Sequence, residues 1–149
     1  GINPFGKLPA LIDSDVLLED GSPLKLFESG AILLYLAETY SGAIITPAQR
    51  ALTSQWLLFA NATLSIALFV PSSRDREFPR LMEALNRQLD PERPLVGDCW
   101  GAADCAVQAH LSDLPLFSPE LDLSPYPVIQ AVIERTHLQP AFRLVMGFA

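Results

Sequence analysis

The sequence predicts two unlike units: an α/β unit over residues 1–43 and an all-helical domain over residues 47–149. Three observations carry this. Residues 9–28 hold two short strand-like runs about a glycine-containing turn. From Ala48 onward the apolar residues recur only at helical spacing. Between the two patterns, Gly42 and the pair Thr46-Pro47 punctuate the chain.

Taken in order, Pro9 to Asp13 is a short apolar run, and Glu19-Asp20-Gly21-Ser22 supplies a turn in which Gly21 takes positive φ without steric cost. Leu24 to Glu28 then alternates apolar and polar side chains, as a half-buried strand does. Two runs so short and so close predict an antiparallel hairpin. A lone hairpin is marginal in water, so it needs the helix that follows. Ser29 is the expected N-cap of that helix, with its hydroxyl accepting from an orphan N–H. Ala31 to Tyr40 is broadly apolar, with Ile32, Tyr35 and Leu36 at helical spacing and Leu33 and Leu34 beside them. Such a helix must be covered on more than one side.

The junction falls between Ser41 and Thr46, where Thr46 caps the next helix and Pro47 fills its first position. Ala48 to Val70 carries two stripes, one of Leu52, Trp56, Phe59, Thr63 and Val70, the other of Leu57, Leu64 and Leu68. Two stripes predict two buried faces, one for this bundle and one for another body. In Glu77 to Leu89, Phe78, Leu81, Met82, Leu85 and Leu89 face inward while Arg80, Glu83 and Arg87 face water. Further helices are expected over Ala102–Leu114, Pro127–Thr136 and after Pro140, with Pro119, Pro125 and Pro127 stiffening the intervening connection.

Composition excludes several functional classes. Half of the 149 residues are hydrophobic, enough for one or two small cores. A net charge of −7 argues against a nucleic-acid partner, because phosphate backbones demand clustered Lys and Arg. No apolar run reaches the roughly 18 uninterrupted residues of a membrane span. Leu57 to Val70 comes nearest, and Asn61, Thr63 and Ser65 break it, so no membrane partner is expected. Cys99 and Cys105 make no disulfide framework, which suits a reducing cytoplasmic setting. They lack metal-ligand spacing and His110 and His137 are remote in sequence, so no metal is expected. Cys105 has apolar neighbours and reads as a small buried hydrophobe rather than a nucleophile. His110 reads as a helix-surface or partly buried polar residue, and no Ser-His-Asp or Cys-His constellation is visible. The chain opens on Gly1 without a charged-then-apolar targeting stretch.

Two short motifs hold chemistry. A proline opening a strand, as in Leu8-Pro9, removes a ladder donor and leaves the adjoining edge unpaired. Base rates alone favour a trans bond, since about one X-Pro bond in twenty is cis. At Glu28-Ser29 a helix begins, and its unpaired N–H groups and partial positive charge favour an anion. Taken locally, Ser29 equally well only caps its helix and Glu28 only complements the dipole. Lys7 is either a surface lysine or a cation for a carboxylate.

The run Asn3-Pro4-Phe5-Gly6-Lys7-Leu8-Pro9-Ala10-Leu11, followed by Phe27-Glu28-Ser29-Gly30-Ala31-Ile32, resembles the cytosolic glutathione transferases in order and spacing. Leu95-Val96-Gly97-Asp98-Cys99-Trp100-Gly101-Ala102-Ala103-Asp104 is similar to the entry of that family's core helix, with Gly101 in place of the usual Ser or Thr cap. Asp104 is accordingly read as structural, the acidic half of a capping box. The resemblance implies a partial thioredoxin-like domain followed by the family's all-helical C-terminal domain. It implies a cis Leu8-Pro9 bond, with Leu8 pairing the cysteinyl backbone of glutathione by β-augmentation. Ser29 would take the γ-glutamyl carboxylate, Glu28 the ammonium and Lys7 the glycyl carboxylate. The short helical domain looks similar to that of the compact cyanobacterial, chi-like members, in which Asn3 to Lys7 and Glu28 to Leu36 would be at home.

In that family the reaction is conjugation of the glutathione thiolate to small hydrophobic electrophiles, in detoxification. Glutathione is a co-substrate and no other cofactor is implied. A homodimer in the cytoplasm is expected. Complete members carry a strand, a helix and a strand ahead of the turn matched here, on the order of fifty residues. That segment bears the Tyr, Ser or Cys that activates the thiol. The catalytic residue is therefore expected outside residues 1–149, and those residues alone are expected to be inactive. Two other readings stay open: a glutathione-dependent disulfide or peroxide reductase, and a non-catalytic assembly module on the same scaffold.

Overall fold

The computed structural model describes residues 1–42 and 46–147. The expected junction from Ser41 to Thr46 lies partly outside the described residues, as do the limits drawn at 43 and 149. The fold is a small two-stranded antiparallel sheet with helices, followed by a helical domain.

Strands β1 (Ala10–Leu17) and β2 (Pro23–Phe27) form the expected antiparallel hairpin. The register pairs Ala10 with Phe27 and Asp13 with Leu24, then breaks before Leu17 meets Pro23. β1 thus runs four residues beyond the apolar stretch that announced it. The irregularity after Asp13 hides that extension from an alternation pattern. Gly21 closes the turn at φ 78°, a left-handed value that suits glycine.

α1 spans Ser29–Leu36 and widens into a π turn over Ala37–Ser41, ended by Gly42 at φ 63°. Ser29 is not the N-cap: it is the first helical residue, and the cap position belongs to Glu28, whose side chain makes no capping bond. Tyr35 donates its phenol to Asp13 Oδ2 at 2.7 Å, and Tyr40 donates to the same oxygen. This cluster ties the hairpin to the far end of the helix. The two phenols, Tyr40 foremost, hold the Asp13 carboxyl below its ordinary 3.8. Because the folded value is the lower one, the cluster stabilises the fold above the unfolded carboxyl range and loses that contribution as pH falls. Asp13→Asn is expected to destabilise at neutral pH, with the difference from wild type shrinking below about pH 4 in acid-unfolding curves.

The helical half begins with α2 (Pro47–Phe59). Thr46 accepts from the Gln49 N–H at 3.1 Å while the Gln49 side chain accepts from the Thr46 N–H at 3.0 Å, a complete capping box. A π turn at Ala60–Leu64 leads into α3 (Ser65–Phe69). By length and composition this continuous helix, Pro47–Phe69, is sufficient to cross a membrane, contrary to the reading from uninterrupted apolar runs. Its stripe of Thr53, Leu57, Ala60, Leu64, Ala67 and Leu68 is instead buried in the bundle, as in a core helix. Of the other stripe, Leu52, Thr63 and Val70 are exposed, while Trp56 and Phe59 are half-buried and pack against the core.

α4 (Pro71–Gln88) starts a turn and a half earlier than its apolar pattern, on Pro71 at the first position. Phe78, Met82 and Leu85 are buried as expected, with Leu89 just beyond the helix. α5 (Ala102–Phe117) is the central helix, packed on α1, α2, α3 and α6. α6 (Pro127–Leu138) and α7 (Pro140–Met146) complete the chain. The open N–H groups of Val128 and Ile129 at the start of α6 donate to Asn86 Oδ1 on α4, at 2.9 and 3.2 Å.

Candidate functional site

The loop before β1 is shaped by Asn3. Its Oδ1 accepts from the Phe5 N–H at 2.8 Å, and its Nδ2 donates to the Lys7 carbonyl at 2.8 Å. That side chain substitutes for a backbone turn and delivers Lys7 and Leu8 to the mouth of the hairpin. Phe5 lies edge-on to Phe27 of β2 at 5.7 Å, which fixes the loop against the sheet. The Leu8-Pro9 peptide bond is cis, and Leu8 is 91% exposed.

The hairpin register brings the two motifs to one end of the sheet. Ala10 faces Phe27 in the outermost pair of the ladder, so Pro9 and Glu28 are the residues that leave it on either side, followed by Leu8 and Ser29. Glu28 adopts φ 73°, ψ 119°, the one positive φ at a non-glycine residue among those described. Such a backbone costs free energy and persists where surrounding structure over-determines it, often at ligand sites. It turns the chain out of β2 directly into α1, whose first helical bond runs from the Ile32 N–H to the Glu28 carbonyl at 3.0 Å. Ser29 therefore sits in the first helical turn beside open N–H groups, and its side chain is half-buried. Lys7 and Glu28 are exposed at the rim.

Four of the five expected site residues, Leu8, Pro9, Glu28 and Ser29, thus lie at one end of the hairpin, with Lys7 next to them in the chain. Two features were not legible. One is the backbone of Glu28. The other is Asn61, from the π turn of the helical half, whose Nδ2 donates to Ser29 Oγ at 3.0 Å. Its trace in the sequence is a polar residue between Leu57 and Leu64 on the buried stripe, read above only as an interruption of an apolar run.

Other reactive groups are separate. Cys99 is exposed; Cys105 is partly buried, and burial first, then the adjacent Asp104 charge, pushes its thiol up from the ordinary range, away from nucleophilic use. His110 is half-buried edge-on to Phe69 at 5.9 Å, and burial holds its imidazole below the usual value. Among the described residues no group of three or more His, Cys, Asp or Glu is placed to hold a metal.

Comparison with known proteins places this arrangement. The model of the glutathione S-transferase N-terminal domain matches residues 1–38. The disulfide-bond oxidoreductase YfcG of Escherichia coli is 33% identical over 157 residues, covering 94% of this chain and 71% of that protein. Glutathione S-transferase GstB of the same organism is 31% identical over 165 residues, covering 97% and 76%. Among solved structures, a glutathione transferase from Burkholderia graminis with two glutathione molecules bound per subunit superposes with a TM-score of 0.76 at 30% identity, over 98% of this chain and 68% of that one.

Proposed function

Because this chain belongs to the glutathione S-transferase family, as its identity to YfcG and GstB establishes, we propose that its hairpin end binds glutathione. Leu8 and Pro9 present an unpaired backbone edge to the cysteinyl residue. Ser29 takes the γ-glutamyl carboxylate, Glu28 its ammonium and Lys7 the glycyl carboxylate. The observation that carries this is the convergence of the exposed Leu8 with the positive-φ turn at Glu28 and the open first turn of α1. An extended tripeptide needs a strand edge along its middle and a charge partner at each end. The glutathione-bound Burkholderia relative supports the reading.

The full-length protein conjugates the glutathione thiolate to small hydrophobic electrophiles, and its thiol-activating group belongs to the segment that the family carries ahead of the turn at Asn3. Glutathione enters as co-substrate, with no other cofactor. Asn3 to Lys7 and Glu28 to Leu36 support a compact, chi-like member. The exposed apolar side chains Leu52 and Val70 of the expected second stripe support a homodimer, and the unpaired Cys99 and Cys105 support a cytoplasmic setting. A second reading, reduction of disulfides with glutathione, is favoured by the names of two relatives, YfcG and YghU, both disulfide-bond oxidoreductases.

Ser29→Ala in the full-length protein is expected to weaken glutathione binding by about 1–3 kcal/mol, the range for a hydrogen bond to a charged group. Calorimetric titration measures it. Unchanged affinity with a slightly lowered melting temperature would leave Ser29 a structural role only. Assays with an aryl halide and with a mixed glutathione disulfide then separate the two chemistries.

A further inference from the structure

We propose that Asn61 is a positioning residue for glutathione: from the helical half it sets the Ser29 hydroxyl as a hydrogen-bond donor to the γ-glutamyl carboxylate. The inference rests on the glutathione reading of Ser29 and adds a residue from the other half of the chain.

The geometry is specific. Asn61 lies in the π turn Ala60–Leu64, and such turns occur disproportionately at functional sites. It is four residues after Leu57 and three before Leu64, both buried, so its amide, half-buried, sits on the seam facing α1. Two contacts hold that seam close. Asn61 Nδ2 is 3.0 Å from Ser29 Oγ, and a Cβ built on Gly30 would approach the same nitrogen to 3.1 Å. Gly30 therefore leaves the space that lets Asn61 reach across. Below it, the Asn61 carbonyl accepts from the Ser65 hydroxyl at 2.6 Å.

The direction of the bond is what matters chemically. A serine hydroxyl has one proton and two acceptor sites, and it rotates to suit its partners. An amide N–H aimed at Oγ occupies an acceptor site. The hydroxyl proton then points elsewhere, and no described residue takes it. A carboxylate accepts only, so a ligand carboxylate at the start of α1 is the partner such a hydroxyl serves best. Donation into Oγ also polarises the O–H and strengthens its outgoing bond. Without Asn61 the hydroxyl loses that polarisation and is no longer pre-set, so its proton must be oriented at the moment of binding.

The test is a double-mutant cycle read as glutathione affinity of the full-length protein. Asn61→Leu removes the donor at similar volume and without adding charge. It is expected to weaken glutathione binding roughly tenfold in the wild-type background, as for one hydrogen bond to a charged group. In a Ser29→Ala background the same change is expected to move affinity less than about twofold. A second probe is 4-aminobutyryl-cysteinylglycine, which keeps the ammonium and lacks the carboxylate; with it, Asn61→Leu is expected to cost little even when Ser29 is present. Should the leucine variant not fold, Asn61→Asp keeps the size, removes the donor and is expected to lose at least as much. If Ser29→Ala weakens binding while the Asn61 change costs the same in both backgrounds, Asn61 does not act through Ser29 and the inference falls alone. If Ser29→Ala leaves glutathione affinity unchanged, the carboxylate reading and the inference fall together.

Discussion

Asp104→Ala is expected to lower the unfolding free energy of the protein by about 2–5 kcal/mol in chemical denaturation. The Asp104 carboxylate is fully buried at the entry of α5. Its Oδ2 accepts from the Gly101 N–H at 3.0 Å and its Oδ1 from the Leu95 N–H at 2.9 Å. Gly101 has no side chain to return a bond, so this single carboxylate performs the whole of the capping. Alanine would leave both part-buried backbone donors without their acceptor, each costing up to about 1–3 kcal/mol. Asp104→Asn keeps one acceptor and is expected to cost less than alanine. Burial raises the Asp104 carboxyl above its ordinary 3.8, against the pull of its N–H partners. With the folded value the higher one, the contribution of Asp104 is complete below the unfolded carboxyl range and declines as pH rises through the folded value. The deficit of the alanine variant is therefore larger in acid than at neutral pH.

Leu111→Ala is expected to cost as much by a different route, about 2–5 kcal/mol, with no change in what the site can bind. Leu111 is fully buried in the middle of α5, within the cluster that includes Leu64, Leu68, Met82 and Ile129. The central helix meets α2, α3 and α6, so the surrounding side chains have little freedom to close over a cavity. Equilibrium denaturation measures the loss. A cost well under about 1 kcal/mol would mean that the bundle collapses around the gap.

Local chemistry was legible in the sequence wherever neighbouring residues decide it. Thr46-Pro47 with Gln49 announces a capped helix, and Pro9 to Phe27 announces a hairpin, because caps and turns need particular residues at fixed offsets. The extension of β1 through Ser14 to Leu17 was not legible, since Ser14 and Asp15 past the irregularity break the alternation. α4 began early for a similar reason: Pro71 to Arg76 is polar and mostly exposed, and offers no apolar stripe. At the candidate site the sequence marked Leu8, Pro9, Glu28 and Ser29, but not how the last two are held. Glu28 takes a backbone that its residue type rarely adopts. Asn61 meets Ser29 across 32 positions of chain, a contact that only the docking of α1 on the bundle creates. Pattern reading reaches neither.

The central claim is that glutathione lies along the end of the hairpin and against the first turn of α1. Titration of glutathione into the isotope-labelled full-length protein, followed by amide NMR, tests it most directly. The account predicts saturable shifts of the Leu8 and Ser29 backbone amides and of the Asn61 side-chain amide, while amides of α6 and α7 stay in place. Saturation of the protein with glutathione while those three signals remain unmoved would contradict it.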